Sequence, residues 1–248
     1  HASTVGVTDH LDPCVAGKLV GRELVAFRRL LEGPRRPFVA ALGGAKIAGK
    51  LETVCGLLER CDRICLGGGM ANTFLLARGD GVGDSLVEPD LVDEARSLLD
   101  QHGEALELPS DVVVARDVDP HAETRTVAAD EVEPGWKILD VGPRTVEAFG
   151  RRIRTAGTVF WNGPLGVFEI PPFDAGTRAF AELLVSATEA GAYTVVGGGD
   201  SIAALEEAGR LGDVSHASTG GGAALELVSG ANLPGIEALD PAAAREAV

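Results

Sequence analysis

Aromatic residues make up only 4 % of the 248 residues, with a single tyrosine, and there is only one methionine. A sizeable core must therefore be built from Val, Leu, Ile and Ala, and an apolar content of 45 % is enough for one. Basic residues are also scarce: 22 Lys and Arg stand against 37 Asp and Glu, a net charge of −15. No Lys/Arg-dense segment stands out, which argues against a duplex nucleic-acid binder. An anionic ligand would have to be held locally, by a few lysines and backbone N–H groups. The four cysteines, Cys14, Cys55, Cys61 and Cys65, contain no C-x-x-C pair and no histidine at a zinc-like spacing. They read as small buried hydrophobes in a reducing cytosol. No apolar run approaches the roughly 20 residues that span a bilayer, and no signal peptide is visible. The first residue is His1 rather than Met, so the expectation is a piece or processed product of a longer chain.

What is present is a repeated arrangement. Residues 16–33, "AGKLVGRELVAFRRLLEG", carry Leu19, Leu24, Val25, Leu30 and Leu31 at helical spacing, mostly on one face, and end at Gly33-Pro34. Short apolar runs follow at 37–44, 63–69, 111–115, 137–142, 157–163 and 193–199, most of them stopping in glycine. Helical stretches lie between and after them, at about 46–60, 70–78, 89–102, 143–155, 174–190 and 201–209. Buried strands alternating with helices predict an α/β fold with a parallel sheet covered on both faces. In such sheets ligands bind at the carboxyl ends of the strands. Glycine there removes the Cβ and lets N–H groups point outward.

Four stretches carry chemistry. In "GGAKIAGK", Gly43 and Gly44 end a strand, and Lys46 and Lys50 follow four apart, sharing a face if the segment is helical. Two lysines at a strand-to-helix junction suit a polyphosphate; the plain alternative is a pair of solvated surface lysines. The stretch is not a P-loop, because Leu51 stands where Ser or Thr would bind magnesium, nor does it fit G-x-G-x-x-G. In "GGGDSIAAL", Gly198 and Gly199 lead to Asp200 and Ser201; Asp200 suits a helix N-cap, a magnesium-linked carboxylate, or both. In "WNGPLGVFE", residues 161–169, the apolar side chains of a stiff loop suit an adenine slot and Glu169 suits ribose hydroxyls; a tight turn with a surface carboxylate is the alternative. In "STGGG", Gly220, Gly221 and Gly222 precede a helix, where free N–H groups at the positive dipole end favour a phosphoryl group.

Together these segments resemble the phosphoglycerate kinase family. "RPFVAALGGAKIAGKLE", "LGGGMANTFL", "GDSLVE", "ELPSDVVVA", "WNGPLGVFE", "GGGD" and "SHASTGGGAALELVSG" followed by "LPG" occur in the family's order and spacing, across essentially all of 1–240. The resemblance implies a Rossmann-like three-layer αβα sandwich with a mostly parallel sheet. It implies residues 1–15 as the end of an N-terminal phosphoglycerate-binding domain, 16–34 as an interdomain helix, 35–235 as a nucleotide-binding domain, and 236–248 as a tail. It implies reversible phosphoryl transfer between 1,3-bisphosphoglycerate and Mg-ADP, giving 3-phosphoglycerate and ATP, by a cytoplasmic monomer with Mg²⁺ as cofactor and no nucleic-acid or membrane partner. By motif match, Lys46 corresponds to the lysine on the nucleotide phosphates and transferring group, Lys50 to the one that steadies transition-state charge, and Asp200 to the magnesium-linked aspartate. Gly43, Gly44, Ala45, Gly68, Gly69, Leu86, Asn162, Pro164, Gly166, Val167 and Glu169 match the nucleotide pocket, as do Gly198, Gly199 and Ser201. Gly220, Gly221 and Gly222 match the phosphate nest. His216 fits either hinge machinery or a local hydrogen bond.

Two departures stand out. Gly49 occupies the place where the family usually has Asp, and no arginine occurs before Arg22. The arginine-rich acceptor site of the family's first half is therefore not among these residues, and the expectation is nucleotide binding with little or no turnover by them alone. A non-catalytic nucleotide-binding remnant or scaffold is the alternative. A dinucleotide-dependent oxidoreductase would need G-x-G-x-x-G after the first strand with an acidic residue about 20 positions later, and that pair is absent.

Overall fold

A computed structural model of the chain describes residues 1–239. Six strands form one wholly parallel sheet: β1 (Phe38–Leu42), β2 (Arg63–Leu66), β3 (Leu106–Glu107), β7 (Thr158–Asn162), β8 (Tyr193–Gly197) and β9 (His216–Ala217), in the order β3-β2-β1-β7-β8-β9. Strand alternation divides the core between the two faces. Phe38, Ala40, Leu42, Ile64, Leu66, Phe160 and Val195 face one way, onto helices α1 (Lys18–Leu31), α2 (Leu51–Leu58), α3 (Gly68–Arg78), α4 (Val92–His102) and α8 (Gly221–Ser229). Val39, Ala41, Cys65, Val159, Trp161 and Val196 face the other, onto α5 (Pro143–Thr155), α6 (Ala175–Glu189) and α7 (Gly199–Glu207). This is the three-layer α/β sandwich with a mostly parallel sheet that the sequence pattern predicts. No helix among the described residues is long and apolar enough to cross a membrane.

Several elements differ from expectation. The runs at 111–115 and 137–142 do not join the parallel sheet. As β4 (Asp111–Ala115) and β6 (Lys137–Val141) they flank one another in a separate antiparallel sheet, order β5-β4-β6, with β5 (Thr124–Ala128). Apolar content marks a buried strand but not its partner. The alternating, half-exposed "TRTVA" of β5 and the two-residue strands β3 and β9 carry too little apolar signal to be seen in sequence. Helix α1 buries Ala26, Phe27 and Leu30, while Leu19 and Val25 of the predicted face are 52 % and 39 % exposed. The helix expected over 46–60 starts only at Leu51. Before it, Gly49 takes a left-handed φ of +76°, and Glu88 accepts hydrogen bonds from the N–H groups of Ile47 and of Ala48, the latter at 3.0 Å. Lys46 and Lys50 therefore do not share a helical face. Of the expected tail at 236–248, residues 240–248 lie outside the described residues, and Pro234–Glu237 form a final helical turn, α9.

Candidate functional site

Because the six strands run parallel, their carboxyl ends open on one rim. There β1 ends in Gly43-Gly44, β2 in Gly67 and α3, β7 in Gly163, β8 in Gly198 and α7, and β9 in Ser218–Gly220 and α8. The turns after β1, β2 and β7 are laced together by backbone hydrogen bonds: Gly43 N–H to Asn162 O at 2.9 Å, Gly44 N–H to Pro164 O at 2.8 Å, and Gly68 N–H to Leu165 O at 2.9 Å.

The glycines fall into two groups. A Cβ on Gly43 would lie 2.0 Å from Pro164 O, one on Gly68 2.7 Å from Gly44 N, and one on Gly69 2.4 Å from Ala45 O. At these positions another backbone already occupies the space that a side chain would need. Gly199, Gly221 and Gly222 have nothing within 4 Å. All three are exposed, and none of their amides has an acceptor among the described residues; they stand at helix N-termini, where the dipole is positive.

A cavity of about 360 Å³ opens between the laced turns and the antiparallel sheet. Of the sequence-predicted residues, Gly44, Ala45, Gly68, Gly69, Leu86, Pro164, Gly166, Val167, Glu169 and Asp200 line it. Other lining residues were not foreseen: Asn72 on α3 beside Gly68 and Gly69, and, on the facing side, Val118 after β4 and Lys137 to Val141 along β6. "KILDVG" reads only as a strand, and nothing in it signals a pocket wall. Gly43, Lys46, Lys50, Asn162, Gly198, Gly199, Ser201 and Gly220 to Gly222 do not line the cavity but belong to the rim around it.

The rim residues have distinct jobs. The Lys50 ammonium donates to Gly43 O at 2.7 Å and lies 3.4 Å from Asn162 Oδ1. Burial lowers its pKa, and the nearby Asp200 carboxylate works in the opposite direction. Lys46 is exposed. Asp200 is not the N-cap of α7; Gly198, with φ +88°, holds that place and Asp200 is the second helical residue, exposed. Ser201 is fully buried, and its hydroxyl accepts the Gly163 N–H at 2.7 Å, so its side chain anchors the 163–169 loop rather than facing a ligand. Of the three nest glycines, Gly220 already donates its N–H to Ser218 Oγ at 3.1 Å, leaving Gly221 and Gly222 as the open donors among the described residues.

Two carboxylates missed in the sequence hold this rim. Glu88, two residues after Leu86, pins the Lys46–Lys50 turn from across the site. Glu23 on α1 accepts hydrogen bonds from Ser218 Oγ at 2.8 Å, Thr219 N at 2.9 Å and Thr219 Oγ1 at 3.1 Å, with His216 Nε2 at 3.0 Å. Burial pushes the Glu23 carboxyl up, but bonds from His216, Thr219 and Ser218 outweigh it and hold the pKa below the usual value. The His216 contact is thus not local: it ties α1 to the turn that presents Gly221 and Gly222. Neither partner could be paired from sequence, since 193 residues separate them.

Among the described residues no three His, Cys, Asp or Glu side chains cluster as a metal cage. A single exposed carboxylate at a helix N-terminus fits a magnesium ion that is carried mainly by nucleotide phosphates and water.

The phosphoglycerate kinase family model matches residues 1–231. Curated phosphoglycerate kinases from Chloroflexus aurantiacus and a Picosynechococcus species are 50 % identical over 245 residues and 48 % identical over 242, each alignment covering 98 % of this chain and 61 % of the relative. The chain thus spans about three fifths of the length of the curated relatives it matches. The solved phosphoglycerate kinase of Coxiella burnetii superposes with a TM-score of 0.91 at 41 % identity, covering 98 % of this chain and 63 % of that one. That of Pyrococcus horikoshii superposes at 0.84 and 31 % identity, covering 99 % and 61 %.

Proposed function

The chain belongs to the phosphoglycerate kinase family, and on that premise we propose that its strand-end rim binds Mg-ADP or Mg-ATP as the nucleotide half of a reversible phosphoryl transfer between 1,3-bisphosphoglycerate and ADP. The carrying observation is the juxtaposition at one rim of a largely apolar cavity, the Lys50 ammonium 2.7 Å from Gly43 O, the Asp200 carboxylate, and the open amides of Gly221 and Gly222.

The division of labour follows from these parts. The cavity takes the base between the 163–169 loop and β6, with Glu169 at its margin for ribose hydroxyls. Lys46 and Lys50 meet the phosphates. Phosphoryl transfer asks little covalent chemistry of a protein; it asks for alignment and for neutralised charge on the equatorial oxygens. Lys50, held by Gly43 O and Asn162, keeps one cation at a defined place for that charge. The N–H groups of Gly221 and Gly222 act as a second, fixed positive end. Magnesium, when bound with the nucleotide, supplies charge neutralisation there, with Asp200 as the one carboxylate placed to hold it; Gly49 offers none.

We further read 35–235 as the nucleotide-binding unit, α1 as the arm toward an acceptor half, and the 248 residues as a monomer that binds nucleotide and turns over phosphoglycerate little or not at all. Calorimetric titration with Mg-ADP tests the reading. Micromolar to submillimolar binding is expected, at least tenfold weaker in Lys46→Ala or Lys50→Ala, with NAD failing to compete. Unchanged affinity in both variants sinks the site assignment, and robust steady-state kinase activity from these residues alone sinks the statement about turnover.

A further inference from the structure

Asp140, the penultimate residue of β6, lies in the cavity wall and is 1 % exposed. Backbone donors engage both of its oxygens: Val141 N–H reaches Oδ1 at 2.8 Å and Gly176 N–H, at the start of α6, reaches Oδ2 at 2.7 Å. Two glycines are fitted around this one carboxyl. A Cβ on Gly166, in the cavity wall, would fall 2.3 Å from Oδ1, and a Cβ on Gly176 would fall 2.5 Å from it. Asp140 thus ties the cavity-lining stretch of β6 to the start of α6 by a hydrogen bond and lies directly against Gly166 of the 163–169 loop, which also lines the cavity.

Among the described residues no cation is paired with it. Asp174, just before α6, is a second carboxylate and is itself paired with Arg178. Asp111 on neighbouring β4 is turned to the N-terminus of α5, where Arg144 and Thr145 take it. Lys137, at the far end of β6, lies 4.0 Å from Asp117, and Glu169 and Asp200 sit elsewhere on the cavity wall. Burial raises the Asp140 pKa to about 7, against the pull of the Gly176 and Val141 N–H groups, and Asp174 adds to the rise.

We propose that Asp140 is a proton-linked positioning residue of this site, taking up a proton when a purine nucleoside fills the cavity. The proposal rests on the nucleotide reading above and deepens it by assigning a pH dependence to the base slot. Asp140 lines the cavity, so solvent filling it favours the ionised carboxylate. A planar base displaces that water, which costs the ionised form and leaves the neutral form nearly untouched. The neutral carboxyl still accepts both N–H groups through its remaining lone pairs. By linkage, base affinity is highest below the free-state pKa, falls as pH rises through about 7, and levels off above the bound-state value.

Adenosine is the probe, since it has no group that titrates near neutrality. It is titrated into the 248-residue protein from pH 6 to 9, in two buffers of different protonation enthalpy. We expect uptake of about 0.3–0.5 proton per adenosine near pH 7.5, and roughly three- to tenfold weaker binding at pH 9 than at pH 6. Asp140→Asn should abolish the uptake and flatten the pH profile; Asp140→Ser serves if the amide disturbs the two N–H contacts. PH-independent adenosine binding with no proton uptake by the wild type overturns the proposal without recourse to a variant. If adenosine proves too weak to titrate, Mg-ADP replaces it, and equal proton uptake by wild type and variant is the overturning result. Binding without proton linkage leaves the nucleotide reading standing, whereas no binding of either ligand at any pH removes both.

Discussion

Replacing Gly43 by alanine probes the lacing of the strand ends most directly. Built on the existing backbone, the new Cβ lies 2.0 Å from Pro164 O and 2.8 Å from Gly163 O. Both are main-chain atoms, so no side chain can rotate aside. Restoring ordinary contact requires the 163–164 turn to retreat by about 1.4 Å. That retreat breaks or stretches the Gly43 N–H bond to Asn162 O at 2.9 Å and the Gly44 N–H bond to Pro164 O at 2.8 Å. Overpacking costs about 1–3 kcal/mol and each weakened backbone bond about 1 kcal/mol, for about 3–5 kcal/mol together. Against a typical total of about 5–15 kcal/mol, the variant still folds but with a markedly lower urea midpoint. Trp161 is a built-in reporter, because its indole N–H donates to Gly163 O at 2.8 Å in the same turn. Urea unfolding is followed by tryptophan fluorescence and far-UV circular dichroism, beside Gly212→Ala, where an added Cβ meets nothing within 4 Å. Gly43→Ala should also bind Mg-ADP at least tenfold more weakly. A midpoint indistinguishable from that of Gly212→Ala refutes the argument.

Other perturbations follow from single contacts. Glu88→Ala removes the acceptor for Ile47 and Ala48 N–H; both amides should exchange faster with deuterium and Mg-ADP affinity should fall about tenfold, or about 1.4 kcal/mol, and unchanged exchange counts against the bracing role. Glu23 has a depressed pKa in the folded state, so its contribution is present above the unfolded value of about 4.5 and is lost as pH falls through the folded value; Glu23→Gln should flatten the acid limb of the stability curve, measured by thermal melts from pH 3 to 6. Burial pushes the thiols of Cys61 and Cys65 far up, so a thiol-specific reagent should modify half-exposed Cys14 and exposed Cys55 in the native protein and the buried pair only on unfolding; native modification of Cys65 would contradict its burial. Gly49→Asp puts a carboxylate where the family usually carries one, at a left-handed φ of +76°; a stability loss of about 1 kcal/mol is expected from the backbone alone, and a gain in urea midpoint would show that the turn relaxes freely.

The layer arrangement was legible because it depends on short-range pattern. Apolar runs of four to five residues, separated by amphipathic stretches, point to buried strands with helices between them, which is what the main sheet shows, although they did not reveal that 111–115 and 137–142 pair antiparallel apart from it. The glycine turns were legible for the same reason, and they lie at one rim because parallel strands share a direction. Their purpose was only half legible: sequence cannot tell Gly43, forbidden a Cβ by Pro164, from Gly222, which faces open space.

What the sequence by itself determined is therefore the alternation of elements, the two-faced core and the residue types at the strand ends, all properties of neighbours along the chain. The tertiary structure alone decided that β4 and β6 leave the main sheet to wall the cavity, that Glu88 and Glu23 brace turns 40 and 196 residues away, and that Asp140 is sealed among glycines of two other elements. Each of these is a meeting of distant segments, held by packing or by hydrogen bonds made across the fold, which no local spacing encodes.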